Sequence, residues 1–201
     1  DVENGTYNSL LQIDSDTYAL AYTSTAKDGW ISTFTISEDG TSIVEVATLE
    51  YSDTIGRFNS LVHVTSDTYA LAHSGAQGHG WISTFTISSD GATITALDTL
   101  DHDDEAGKYN SLVQVDSNTY VLAYSGEDNK GYISTFEIDS DGTITPTLVQ
   151  NHAEVGGAVN VEHDENRGMH NSLVQVDSNT YALAYAGDGN DGYITTFTIP
   201  S

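Results

Sequence analysis

The chain has no cysteine, a single methionine and two prolines, and only 5 of its 201 residues are Lys or Arg. The missing cysteine removes disulfides and a thiol nucleophile, and leaves the redox compartment unreadable; a secreted fold of this size does not need disulfides. The scarcity of cations matters more. Against 5 basic residues stand 30 Asp and Glu, a net charge of −25. Such a surface repels nucleic acid and anionic membranes, so neither is expected as a partner. It suits salty or extracellular surroundings, where self-repulsion is screened. No apolar run approaches the roughly 20 residues of a spanning helix, so membrane insertion is not expected. No segment shows a helical period. No signal peptide begins at Asp1. The chain starts in a loop-like stretch and stops just after a strand, which reads as a mature or excised piece of something longer. No Gly-x-Ser-x-Gly elbow occurs. Carboxylates are so numerous that pairing any two as an acid and a base carries no information.

What the chain does have is a repeat. Tyr7-Asn8-Ser9-Leu10 returns as Phe58-Asn59-Ser60-Leu61, Tyr109-Asn110-Ser111-Leu112 and His170-Asn171-Ser172-Leu173. The Asn spacings are 59 − 8 = 51, 110 − 59 = 51 and 171 − 110 = 61. The second copy shows the unit. Residues 60–64 read as a short strand and Ser66-Asp67-Thr68 as a polar turn. Residues 69–73 alternate large and small, with Tyr69, Leu71 and His73 on one face and Ala70 and Ala72 on the other. The small face lets a neighbouring sheet approach closely. After a turn over 75–80, residues 81–87 are rich in β-branched and aromatic side chains. Asp90-Gly91 is a hairpin signal. Residues 93–97 form a fourth strand, and 100–108 a link to the next copy. The other copies follow: 18–22, 30–36 and 43–49 in the first, and 120–124, 132–138 and 143–148 in the third. One array therefore spans 1–201, in units 7–57, 58–108, 109–169 and 170–201. The longer third spacing reads as a duplicated link, because 151–157 resembles 162–168 and both resemble 101–107. A surface loop is expected there. The expected core is Phe34, Phe85, Phe136 and Phe197 with Leu20, Leu71, Leu122 and Leu183.

Four-stranded antiparallel units of this length, carrying an Asn-Ser-Leu opening, an Asp/Asn-Thr-Tyr turn, a Gly-aromatic-Ile third strand and an Asp-Gly turn, resemble the blades of a β-propeller. The resemblance covers essentially the whole chain and is one of architecture. Neither the Gly-His and Trp-Asp marks of WD40 nor the paired glycine of kelch recurs with the repeat. It implies an all-β propeller, or a section of one, whose fourth unit lacks its outer strand. It also implies that first strands line a central channel, with Asn8, Asn59, Asn110 and Asn171 around one mouth. A stacked β-solenoid is the competing architecture.

The mouth supplies the candidate ligand site. Tyr7, Phe58, Tyr109 and His170 precede the four asparagines, and an aromatic beside an amide can hold a sugar. The competing role for the asparagines is to satisfy link backbone at every inner-strand start, and identity across four copies favours it. Arg57, Lys108 and Arg167 lie in the equivalent links. They either contact a carboxylate on an acidic sugar or, as the preferred reading, neutralise Asp101, Asp103, Asp104, Glu105, Glu162, Asp164 and Glu165. Asp188, Asn190 and Asp191 have the oxygen-rich composition of a calcium loop, as do residues 127–129, but the equivalent 25–28 and 76–79 do not. No other cofactor is expected. His102 and His163 occupy one repeat position with Tyr51, and convergence on zinc from different blades is not expected. Near-identical inner-strand starts make a poor platform for asymmetric chemistry, so no enzymatic activity is expected. The leading expectation is an extracellular or cell-surface module that recognises carbohydrate or another surface polymer through repeated weak sites. The alternatives are a structural or adhesive repeat that packs against other chains, with a homo-oligomer or further repeats completing the ring, and a polysaccharide-degrading enzyme.

Overall fold

Four antiparallel sheets follow one another along the chain in a computed structural model that describes residues 5–147 and 161–199. The first contains β1 (Thr6–Gln12), β2 (Thr17–Thr23), β3 (Gly29–Ile36) and β4 (Ile43–Ser52), in that order. The second repeats it with β5 (Arg57–Thr65), β6 (Thr68–Ser74), β7 (Gly80–Ile87) and β8 (Ile94–Asp103). The third has β9 (Lys108–Gln114), β10 (Thr119–Ser125) and β11 (Gly131–Ile138), with β12 (Ile144–Pro146) and β13 (Val161–Asp164) both on β11. The fourth has three strands, β14 (Met169–Gln175), β15 (Thr180–Ala186) and β16 (Gly192–Thr198). Local chemistry sets the turns. In the Asp-Gly turn of the second sheet, Asp90 accepts from the Ser88 hydroxyl at 2.6 Å and from the Ala92 N–H at 3.0 Å, while Gly91 takes φ +72°. These bonds, the Ser88 hydroxyl first, hold the Asp90 carboxyl below its ordinary range. Among the described residues no helix is long and apolar enough to cross a membrane.

The core lies between the sheets, not within them. At the first junction Ala19, Ala21 and Ile31 of the first sheet meet Leu61, Tyr69 and Phe85 of the second. At the second, Ala70, Ala72 and Ile82 meet Leu112, Tyr120 and Phe136. At the third, Val121, Ala123 and Ile133 meet Leu173, Tyr181 and Phe197. Each blade thus offers a face of small side chains to its successor and a face of Tyr, Leu and Phe to its predecessor. Small against large lets the sheets interdigitate closely. The junctions are also stitched by polar contacts that repeat with the blade: Ser9, Ser60 and Ser111 hydroxyls accept the Leu61, Leu112 and Leu173 N–H groups at 2.9, 3.0 and 2.9 Å.

Three expectations change. The outer strands are ten residues long in the first two sheets, and the link shrinks to residues 104–107. The acidic run 100–103 had read as link, but period two persists through it and buries His102. The strand expected over 143–148 covers Ile144–Pro146, and Leu148 lies outside the described residues, as does 151–157. In sequence the extra residues lie between β12 and β13, ahead of the link that follows β13, and 148–160 lie outside the described residues. Finally, the expected core is complete only in the middle. Phe85, Phe136, Leu71, Leu122 and Leu183 are buried, whereas Leu20, Phe34 and Phe197 are half-buried in the terminal sheets.

Candidate functional site

The starts of the four inner strands are irregular in the same way. Register shifts fall between Thr6 and Ser9, between Arg57 and Ser60, between Lys108 and Ser111 (opposite Ser125 and Ala123), and between Met169 and Ser172. Within each bulge sits an aromatic in the left-handed region: Tyr7 at φ 53°, Phe58 at 56°, Tyr109 at 55° and His170 at 56°. Bulky side chains rarely adopt this backbone, and each instance costs on the order of 1–3 kcal/mol. The bulge re-aims the ring out of the strand's alternation. The result is one file across four blades. Ring centroids are 4.4 Å apart for Tyr7 and Phe58, 4.5 Å for Phe58 and Tyr109, and 4.4 Å for Tyr109 and His170, with tilts of 51–56°. Tyr7 and His170 at the ends are exposed, and the two central rings are half-buried.

Two of the asparagines hold this file in place. Asn110 Nδ2 donates to the Phe58 carbonyl at 3.1 Å and the Gly107 carbonyl at 3.3 Å. Asn171 Nδ2 donates to the Tyr109 and Gly168 carbonyls at 3.2 and 3.1 Å. Asn59 Oδ1 accepts from the Tyr51 hydroxyl at 2.6 Å. Asn8, with no blade before it among the described residues, is exposed. So the amides of Asn110 and Asn171 grip the backbone carbonyl of the preceding blade's aromatic and are not free donors at the mouth.

The cations correct another expectation. Among the described residues Arg57, Lys108 and Arg167 form no ion pair; the pairs present are His79–Asp101 at 3.0 Å and Lys130–Glu162 at 3.3 Å. Arg167 Nε instead meets the Met169 sulfur at 3.0 Å. The link carboxylates find partners in their own turns. Asp103 accepts the Glu105 and Ala106 N–H groups at 3.0 and 2.9 Å, and Asp164 those of Asn166 and Arg167 at 2.9 and 2.8 Å. An Asx turn satisfies these oxygens without a cation. Asp188, Asn190 and Asp191 form a 3₁₀ turn closed by backbone bonds, such as Asp191 N–H to Asp188 O at 3.2 Å. The same turn forms over Ala76–Gly78, whose side chains offer no carboxylate, so its shape owes nothing to metal ligands. Among the described residues no group of three or more His, Asp or Glu is placed to hold a metal.

One feature escaped sequence reasoning. A cavity of about 380 Å³ opens at the first junction, lined by Glu50, Ser52, Asp53, His73, Trp81 and Thr99 among others. Burial lowers the His73 pKa to about 4, so its ring is neutral, and Nε2 lies 3.1 Å from the Ser83 hydroxyl. The signal was present: His73 replaces the Tyr found at 22, 124 and 185, and Ser52 replaces Asp103 and Asp164.

No protein-family model matches the chain, and no curated protein does. Solved structures do. A protein from Lactobacillus plantarum aligns over 98% of this chain and 56% of its own, with a TM-score of 0.61 at 12% identity. The NanB sialidase of Streptococcus pneumoniae aligns over 93% of this chain and 30% of its own (TM-score 0.60, 12% identity). The catalytic domain of the Coprinopsis cinerea GH62 α-L-arabinofuranosidase aligns over 96% and 63% (TM-score 0.57, 13% identity). The chain spans less than two thirds of each of these proteins. At such identities the likeness is one of fold, and the fold is a β-propeller type built from four antiparallel blades.

Proposed function

We propose that this chain is a carbohydrate-binding module whose contact surface is the file Tyr7–Phe58–Tyr109–His170. The observation that carries the reading is that four aromatic rings stand in strained left-handed backbone at equivalent bulges. A purely structural strand start would not need the outlier four times. The rings form a continuous apolar ridge, on which pyranose faces of a polymer chain can stack. Arg57 and Lys108, in no ion pair among the described residues, flank the two central rings and are available to hydroxyl or carboxylate groups of the polymer. A net charge of −25 works against a densely anionic polymer, so a neutral or sparsely acidic glycan fits best. Each ring offers a shallow contact, and affinity builds by repetition along one chain. Two of the similar structures are named for action on glycosides, which agrees with this reading without carrying it. The setting that suits such a module is extracellular or at the cell surface.

A glycan array and affinity electrophoresis in soluble polysaccharides test the proposal. Retardation by at least one polysaccharide is expected, with a loss of at least tenfold in affinity for Phe58→Ala/Tyr109→Ala while the β-sheet circular dichroism persists. Asn110→Ala should act more weakly, through the lost grip on the Phe58 carbonyl. Blank arrays for the intact chain would overturn the reading. Release of new reducing ends would replace it with catalysis.

A further inference from the structure

The two end faces of the array are copies of faces that the molecule itself buries. We infer that a second copy of this chain packs head to tail on it, the fourth blade of one against the first blade of the next. The small-residue face of the fourth blade repeats the faces that close the three junctions. Ile194 occupies the position of Ile31, Ile82 and Ile133, which are 0%, 0% and 8% exposed, yet it is 77% exposed. Val176 stands where Val64 and Val115 are buried, and is 61% exposed. The large-residue face of the first blade repeats the opposite partner. Leu10 occupies the position of Leu61, Leu112 and Leu173, all buried, and is 63% exposed. Beside it Leu20 and Phe34 are half-buried, where Leu71, Leu122, Phe85 and Phe136 are fully buried.

Polar groups match as well. The Ser172 hydroxyl takes the place of Ser9, Ser60 and Ser111, and is exposed with no following blade among the described residues to supply an N–H. The Leu10 N–H is the corresponding donor. Within the array, Thr33 and Thr84 donate to the carbonyls of Gly91 and Gly142 in the next blade's turn, at 2.7 and 2.6 Å. Gly40, the first blade's counterpart, has nothing within 4 Å of where a Cβ would stand, and Thr196, the counterpart of Thr33, is exposed. A tail-to-head contact would join Ser172 to Leu10 and Thr196 to Gly40 with geometry the molecule already builds. It would also bring His170 of one copy to Tyr7 of the next and prolong the aromatic file. The faces differ, so the contact is heterologous and either closes a ring or propagates. Exposed apolar faces of this kind are unusual on a monomer.

Sedimentation equilibrium at micromolar concentrations, in low and in high salt, tests the inference. A mass at least twice the 21.5 kDa of the chain is expected, more populated at high salt because both copies are acidic. Leu10→Asp and Ile194→Asp each spoil one face of one junction, and circular dichroism should show both folded. Each alone should lose the wild-type assembly. Mixed in equal amounts they should form a two-chain species, because one intact head then meets one intact tail. A wild-type mass of 21.5 kDa under all conditions overturns the inference. So does an assembly that survives both substitutions, one that only one of the two abolishes, or a mixture that stays monomeric.

Discussion

The first junction and the second solve one packing problem in opposite order. Each places one tyrosine and one histidine edge to face between two blades. In the first, Tyr51 of the outer strand meets His73 of the next blade at 4.8 Å; in the second, His102 meets Tyr124 at 4.7 Å, and His163 repeats that order against Tyr185 at the third. The outer-strand ring always lies against a glycine. A Cβ on Gly29, Gly80 or Gly131 would overlap Tyr51, His102 or His163, and the link glycines Gly56, Gly107 and Gly168 close over the same spot. Exchanging the rings changes what they reach. Tyr51 spans the gap to Asn59 Oδ1, whereas the nitrogens of His163 and the Oδ1 atoms of Asn110 and Asn171 are buried without a direct hydrogen bond among the described residues. Tyr124 instead stands beside Ser134 and Asp103; burial first, then the Asp103 charge, holds its phenol well above the ordinary range, so it stays protonated. In the first junction the shorter His73 stands at that position and lines the cavity. One aromatic pair fits either way round, but its hydroxyl needs a polar group on the side to which it points.

The largest expected effects test whether the two junctions share an apolar core despite this difference. Phe85 and Phe136 are 1% and 0% exposed at equivalent positions. Phe85→Ala and Phe136→Ala should each cost about 3–5 kcal/mol in urea unfolding, and Phe34→Ala at the open end clearly less in dilute protein. If Phe85→Ala costs far less than Phe136→Ala, the cavity beside His73 extends into the core and the junctions are not equivalent.

Acid should then act on all three junctions, because each contains one neutral histidine, buried at the first two and half-buried at the third. Burial lowers His73 to about 4, His102 to about 3 and His163 to about 4, against an ordinary value near 6.5. The folded pKa lies below the unfolded one, so the unfolded chain binds more protons in between. The contribution is fully present above about pH 6.5 and is lost as pH falls through the folded values. By pH 5 His73 and His102 should each remove about 2 kcal/mol and the half-buried His163 less, a large share of the usual 5–15 kcal/mol. Neutralisation of carboxylates relieves repulsion mainly at lower pH, so the interval from 6.5 to 5 isolates the histidines. Stability that rises from pH 6.5 to 5, or imidazole NMR signals of these residues that titrate above pH 6, would show that the rings are hydrated.

Blade count, strand order and the large and small faces were legible in the sequence, because repetition at 51 residues and period two survive in nearly every copy. The junction rings were not. Tyr51, His102 and His163 sit among Asp and Glu and read as link, since the sequence does not show that a glycine on the neighbouring strand leaves room for a ring. The aromatic file was half legible. Position 7 and its repeats stood out as ring-bearing, but a β-bulge with positive φ has no signature when the residue is Tyr or Phe instead of Gly. The backbone-satisfying role of the asparagines was legible as the favoured reading, and only geometry shows where the amides point. The ion pairs failed because a carboxylate with two N–H groups in its own turn looks, in sequence, like one awaiting a cation.

The smallest expected effect is also the most direct test of the exchange. Tyr51→His/Ser52→Asp/His73→Tyr rewrites the first junction as the second. The new tyrosine would extend into the 380 Å³ space and bring its hydroxyl to the new carboxylate, as Tyr124 lies beside Asp103. The number of buried histidines is unchanged, so acid sensitivity between pH 6.5 and 5 should stay the same while the cavity fills. Filling of this kind commonly adds about 0.5–2 kcal/mol, read as a higher urea midpoint at constant slope. Ser52→Asp alone should destabilise, because it adds a carboxylate next to Glu50 and Asp53 with no phenol to meet it. A triple variant less stable than the parent would mean that the Tyr51–Asn59 hydrogen bond outweighs the filled space, and that the ring order at the first junction is fixed by the asparagine and not interchangeable.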